Sequence, residues 1–246
     1  MKNSRYAISL MLLLCVTMLG GCAGRARTTL AYTQPADKTV IQQATILPCD
    51  VRQAQQIVTR YFDTAFSVQP EPEAKQSELI FKLVLPQEDL QSVLDCGFLV
   101  TTTPAVNNTP HTFAAATPRI DLNLADGTSI PKPATMTAKA SATIPITLAS
   151  QGKGKTLLNI HAEYIVNLSL DRYVMIYGFS PVAHQRVSKR VVDEAQIVFT
   201  SQRAGGITKQ FPENRYSIDG DWPIQCRSTG KLEEKIISGI MASVPR

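Results

Sequence analysis

Between residues 135 and 170 the chain alternates apolar and polar positions with a period of two. Even positions Met136, Ala138, Ala140, Ala142, Ile144, Ile146 and Leu148 are apolar, while Thr135, Thr137, Lys139, Ser141, Thr143 and Thr147 are polar, with Pro145 the exception. After Gln151-Gly152-Lys153-Gly154, the even positions Leu158, Ile160, Ala162, Tyr164, Val166, Leu168 and Leu170 repeat the pattern. Successive side chains of a strand point to opposite faces, so the alternation predicts a long antiparallel hairpin with one dry and one wet face. Pro145 cannot donate to the ladder, which predicts an edge or a bulge there.

Elsewhere the period changes to that of a helix. Behind Asp50, placed as an N-cap, Val51, Ala54, Ile57, Val58, Tyr61, Phe62 and Ala65 recur at helical spacing and predict an amphipathic helix over about 50–66. Leu232, Ile236, Ile237, Ile240, Met241 and Val244 predict a second over about 230–244, with Ser228 or Thr229 as cap and Glu233 and Glu234 in its first turn. Thr39–Leu47, Leu79–Leu85, Ile120–Leu124, Tyr173–Phe179 and Ala195–Thr200 read as shorter strands, and Leu90–Val100 as a strand or a short helix. Gln69-Pro70-Glu71-Pro72 and the stretch from Arg203 to Arg227 carry loop chemistry. The predicted class is α+β, an antiparallel sheet packed against two amphipathic helices.

The first residues have a different logic. A basic tip (Lys2, Arg5) precedes an apolar run from Ile8 to Leu19, then Leu19-Gly20-Gly21-Cys22. This is the layout of an export signal, too short to span a bilayer with stop-transfer flanks. The small residues before the cysteine resemble a bacterial lipobox, a resemblance confined to the first 22 residues. It implies cleavage between Gly21 and Cys22, lipidation of the Cys22 thiol, acylation of the new amino terminus and attachment to a bilayer. In lipoproteins of this class an aspartate after the cysteine often marks retention at the inner membrane; here Ala23 follows, which implies transfer to the outer membrane. The expected organisation is a signal peptide (1–21), a lipidated Cys22 and flexible tether (22–38), and a single periplasmic domain (39–246).

Composition narrows the partners. The apolar fraction of 44% and charged fraction of 18% belong to a folded chain. Without Lys2 and Arg5 the mature part has 23 basic against 20 acidic side chains, and its densest basic patch is Arg186, Lys189 and Arg190. Neither feature suits a nucleic-acid binder. Removing Cys15 and lipidating Cys22 leaves Cys49, Cys96 and Cys226, which in an oxidising compartment allow one disulfide and one spare thiol, the pairing being open.

Three motifs invite chemistry and are better read as structure. Ala149-x-x-x-x-Gly154-Lys155-Thr156 approximates a phosphate loop, yet the following residues alternate as a strand where such a loop needs a helix. No nucleotide partner is therefore expected. Ser228-Thr229-Gly230-Lys231 fits the Ser-x-x-Lys of penicillin-recognising enzymes without that family's later motifs, and helix capping explains it. His161-Ala162-Glu163 resembles the opening of a zinc-deaminase signature with no Pro-Cys-x-x-Cys downstream. No catalytic or metal residues and no cofactor beyond the covalent lipid are expected. Trp222, with Tyr216 and Phe211 nearby, is the candidate partner-binding loop.

The expected role is a non-catalytic accessory or assembly subunit of a cell-envelope complex with a protein partner. The first alternative is a subunit of an oligomeric outer-membrane pore built from the 135–170 hairpin, whose alternation suits a barrel strand. An envelope hydrolase is the second, with Asp121, Asp126, Asp171, Asp193 and Glu194 as scattered candidate carboxylates.

Overall fold

The computed structural model describes residues 28–35, 41, 43–72, 77–102, 110–124, 132–179, 184–207, 218–219 and 224–245. In chain order they form β1 (Thr28–Thr33), β2 (Ala44–Leu47), α1 (Val51–Phe66), β3 (Glu78–Val84), α2 (Leu90–Val93), β4 (Leu94–Asp95), β5 (Phe98–Thr102), β6 (His111–Ala114) and β7 (Arg119–Leu124). There follow β8 (Lys132–Ser150), β9 (Thr156–Ile160), β10 (Glu163–Phe179), β11 (His184–Thr200), β12 (Gly205–Gly206), β13 (Ile218–Asp219), β14 (Gln225–Ser228) and α3 (Lys231–Ala242). Antiparallel β-structure dominates and the helices pack on it.

The spine is β8. On one edge it pairs with β9 and β10, on the other with β3 and β7, while β2 extends the sheet beyond β9 and β11 beyond β10. Pro145 sits on this central strand, not at an edge. Its carbonyl accepts from the His161 N–H at 3.1 Å, and since one residue's N–H and C=O point the same way in a strand, its missing donor faces His161 too. There the return chain is divided into β9 and β10, in a common register with β8 (Ile146 opposite Ile160, Thr143 opposite Glu163). The disruption expected at Pro145 falls on the partner strand.

Even positions of β8 from Ala134 to Leu148 are buried, as are Tyr164, Val166, Leu168 and Leu170 of β10 and Ala195, Ile197 and Phe199 of β11. This dry face meets α1, α3 and the small sheets in one hydrophobic cluster. Asp50 caps α1, its Oδ1 accepting the Gln53 N–H at 2.8 Å. The helix buries Ala54, Ile57, Val58 and Phe62, and the Phe62 ring stacks on Phe81 of β3 with centroids 3.8 Å apart. Burying side chains of this size contributes about 1.5–3 kcal/mol each. At the N-cap of α3 stands Gly230, with φ +83°, in place of Ser228 or Thr229. The two helices meet where Gly239 has no side chain: a Cβ there would lie 2.2 Å from the Tyr61 ring, whose hydroxyl donates to the Lys235 carbonyl.

Within the stretch expected as a flexible tether, 22–38, Thr28–Thr33 is a strand. β1 pairs antiparallel with β5, Thr33 opposite Phe98, and parallel with β13. Tyr32 pins it, its hydroxyl donating to the Cys96 carbonyl at 3.1 Å and accepting the Gln225 N–H at 2.9 Å. Gly97, at φ +70°, lets β1 approach: a Cβ would meet the Thr33 carbonyl at 2.1 Å. This strand is held by one tyrosine and by partners distant in the chain, which its local sequence does not announce.

The segment 90–100 contains both of its alternatives, α2 followed by β4 and β5. The strands expected at Tyr173–Phe179 and Ala195–Thr200 are the far ends of β10 and β11.

Candidate functional site

The wet face of the large sheet brings together several of the carboxylates named as candidates. Register sets Asp121 of β7, Thr135 of β8, Asp171 of β10 and Val192 of β11 in one row. With strands about 4.8 Å apart, the backbones of the two aspartates stand about 10 Å from each other. Asp121 accepts from the Thr135 hydroxyl at 2.9 Å and from Arg119 at 3.2 and 3.3 Å. Asp171 accepts from Arg190 Nε at 2.8 Å, with Nη2 of the same guanidinium on its other oxygen.

These partners set the chemistry of the row. The Thr135 hydrogen bond, then Arg119, holds the Asp121 carboxyl below the usual carboxylate range, and Arg190 does the same for Asp171. Both are ionised at neutral pH. A general acid needs the opposite shift, so the two hydrolase candidates brought together in this row form charged pairs and not an acid–base couple. Glu194 is exposed on the same face of β11. Asp193 lies on the dry face, where Arg172 donates to its Oδ2 from Nε at 2.8 Å and Nη2 at 2.7 Å, both side chains being almost fully buried. Asp193 Oδ1 has no hydrogen-bond partner among the described residues. Asp126 lies outside them.

Cys96 and Cys226 form a disulfide, and Cys49 is a buried thiol. Burial, with the Asp50 charge adding to it, pushes the Cys49 thiol up, so it is protonated and not a ready nucleophile.

One polar cluster went unforeseen in the sequence. Tyr164, Ser228 and Glu233 meet in the interior: the Tyr164 hydroxyl donates to Glu233 Oε1 at 2.8 Å, and Ser228 donates to Oε2 at 3.1 Å while accepting the Gly230 N–H at 3.0 Å. Burial, then the Glu233 charge, pushes the Tyr164 phenol far above its ordinary range. Glu233 reads in sequence as a favourable first-turn residue, and it stands four residues before Ile237 on the apolar stripe. That spacing was the signal for its burial. The carboxylate sits in the first turn of α3, where the helix dipole favours it, and with 0% exposure it reaches no substrate.

The three motifs fall where structure needs them. Gly152 and Gly154 take positive φ in the turn between β8 and β9, and the Thr156 hydroxyl donates to the Cys49 carbonyl at 2.8 Å from a strand, not a helix. Ser228 is buried while Lys231 is exposed. His161 and Glu163 flank buried Ala162 at the junction of β9 and β10. A shallow groove between α1 and the following chain is lined by Arg52, Gln56, Arg60, Asp63 and Glu71, a mixed polar surface. Among the described residues no three His, Cys, Asp or Glu side chains are grouped to hold a metal. No helix among them is long and apolar enough to cross a membrane.

Gly21, Cys22, Phe211, Tyr216 and Trp222 lie outside the described residues. Comparison with protein-family models, with curated proteins and with solved structures finds no match to this chain.

Proposed function

We propose that this chain is a lipoprotein anchored at the periplasmic face of the outer membrane through acylated Cys22, where it serves as a non-catalytic accessory or assembly subunit of an envelope transport, secretion or biogenesis complex. The observation that carries the reading is the run Leu19-Gly20-Gly21-Cys22 closing an export-type segment six residues before β1. A chain of that length spans no more than about 22 Å, so the sheet would be held close to the bilayer. The Cys96–Cys226 disulfide suits an oxidising compartment. The wet face, where Asp121 and Asp171 are already paired with Arg119 and Arg190, is suited to recognition by a protein more than to proton transfer.

The test is recovery of a partner from gently solubilised membranes, comparing the wild-type chain with Lys139→Glu/Ser141→Arg in the middle of the wet face. A partner held by the wild type and lost by the variant supports the reading. Absence of any envelope protein, or equal recovery by both, contradicts it.

A second reading is a pore subunit. It draws nothing from the 135–170 strands, whose apolar side is buried within the domain. What favours it is the ribbon beyond β8: Arg172 is the last β10 residue paired with β8, and among the described residues Tyr173–Phe179 pairs with His184–Arg190 only. Seven residues reach about 23 Å, close to the apolar height of a barrel wall. Detergent-solubilised protein in rings of many subunits supports this version.

A further inference from the structure

The turn between β8 and β9 projects from the body of the domain. Its ladder closes where the Gln151 N–H donates to the Lys155 carbonyl at 2.9 Å, and beyond that a Cβ on Gly152 or Gly154 would meet nothing within 4 Å. Lys153 and Lys155 are exposed there, neither paired with an acid among the described residues. Just inside the tip, register sets Ile46 of β2 beside Leu157 of β9, and Leu157 beside Ala149 of β8, three apolar residues in one row of the wet face. Lys155 is two residues from Leu157 and shares that face. Ile46 is 53% exposed, and Ala149 and the neighbouring Pro48 are exposed as well. Beneath them Leu47 and Thr156 are fully buried, and the Thr156 hydroxyl donates to the Cys49 carbonyl, so the row stands on a fixed base.

We propose that this tip rests on an anionic bilayer surface, with Lys153 and Lys155 against the headgroup phosphates and Ile46 at the acyl boundary beside them. The contact rests on the reading of the chain as lipid-anchored and adds a second point of attachment to it. Cations next to exposed aliphatic surface are what an interfacial site requires: the charges draw the tip to the headgroups, and the aliphatic row leaves water once there. No acid cancels that attraction nearby. Asp50, just beyond Pro48, spends its carboxylate on the N-terminus of α1, and Glu78, opposite Thr147, stands about 16 Å from Lys155 by strand spacing and rise, beyond a Debye length. A protein partner has little to hold, since four small aliphatic side chains fall well short of the roughly 800 Å² that a stable complex covers on each side. The anchor makes the contact intramolecular, so two lysines and one isoleucine suffice.

The experiment uses the full mature chain purified from membranes, with Gln151→Cys carrying an environment-sensitive fluorophore; Cys49 is buried and Cys96–Cys226 is bonded, so the label goes to the new thiol. The chain is reconstituted into vesicles of phosphatidylcholine, or of phosphatidylcholine mixed with phosphatidylglycerol, floated on a density gradient, and its folding is checked by circular dichroism. It is expected to float with both, and its emission to shift to the blue on the mixed vesicles alone. Lys153→Glu/Lys155→Glu and Ile46→Ser should each cut that shift by at least half. A chain that does not float contradicts the anchor and the contact together. A chain that floats while its label emits alike on the two kinds of vesicle, as contact with a protein or a second copy would make it do, or whose shift survives either variant, overturns the contact and leaves the anchor standing.

Discussion

The Tyr164 hydroxyl donates a 2.8 Å hydrogen bond to Glu233 Oε1, tying β10 to the first turn of α3 across 69 residues of sequence. Both side chains have 0% exposure, so the carboxylate relies on this hydroxyl, on Ser228 and on the helix terminus for the solvation it gave up. Tyr164→Phe is expected to cost about 1.5–3 kcal/mol in urea unfolding at pH 7, the range for a bond to a charged group.

The same pair gives a pH dependence. Tyrosine in the unfolded chain ionises near pH 10, while folded Tyr164 keeps its proton well above that. Stability from this group is intact below about pH 10. Above it the unfolded state loses the proton first, and stability falls by up to about 1.4 kcal/mol per pH unit. Tyr32 and Tyr61 are shifted the same way by burial, so the comparison with Tyr164→Phe isolates the one group. The variant should show a shallower alkaline decline; parallel curves would contradict the assignment.

Cys96 and Cys226 are 130 residues apart and close the junction where β14 pairs with β4 and Tyr32 holds β1. Closing a loop of that length removes much of the unfolded chain's freedom. Cys96→Ser/Cys226→Ser should lower stability by about 2–5 kcal/mol. Dithiothreitol should lower the Tm of the wild type and leave that of the variant unchanged.

Arg172 and Asp193 form an ion pair on the otherwise apolar face, where β10 leaves β8. Arg172→Leu should cost about 3–5 kcal/mol, because it strands a buried carboxylate. Arg172→Leu/Asp193→Leu should recover most of that loss, and additive costs would show that the two do not act as a pair.

This pair also marks the reach of periodicity as a guide to the fold. The alternation ends at Leu170 in sequence because an arginine takes the next dry position, yet the strand continues to Phe179, with Asp193 diagonally placed on β11 supplying the charge that makes Arg172 tolerable there. The helices over 51–66 and 231–242 were legible for the converse reason, each burying a stripe of apolar residues at helical spacing. Pairings made by short segments were not legible: β1, β4 and β14 exist through Tyr32, a disulfide and backbone partners far along the chain. The row of Asp121 and Asp171 was equally hidden, since only the registers of β7 and β10 against Thr135 bring the two together.

The central claim is the covalent anchor, and the intact mass of the mature chain purified from membranes tests it most directly. The account predicts a polypeptide that begins at Cys22 and carries acyl chains on its sulfur and its amino terminus. A chain still holding residues 1–21, or one beginning at Cys22 with an unmodified thiol, would contradict it.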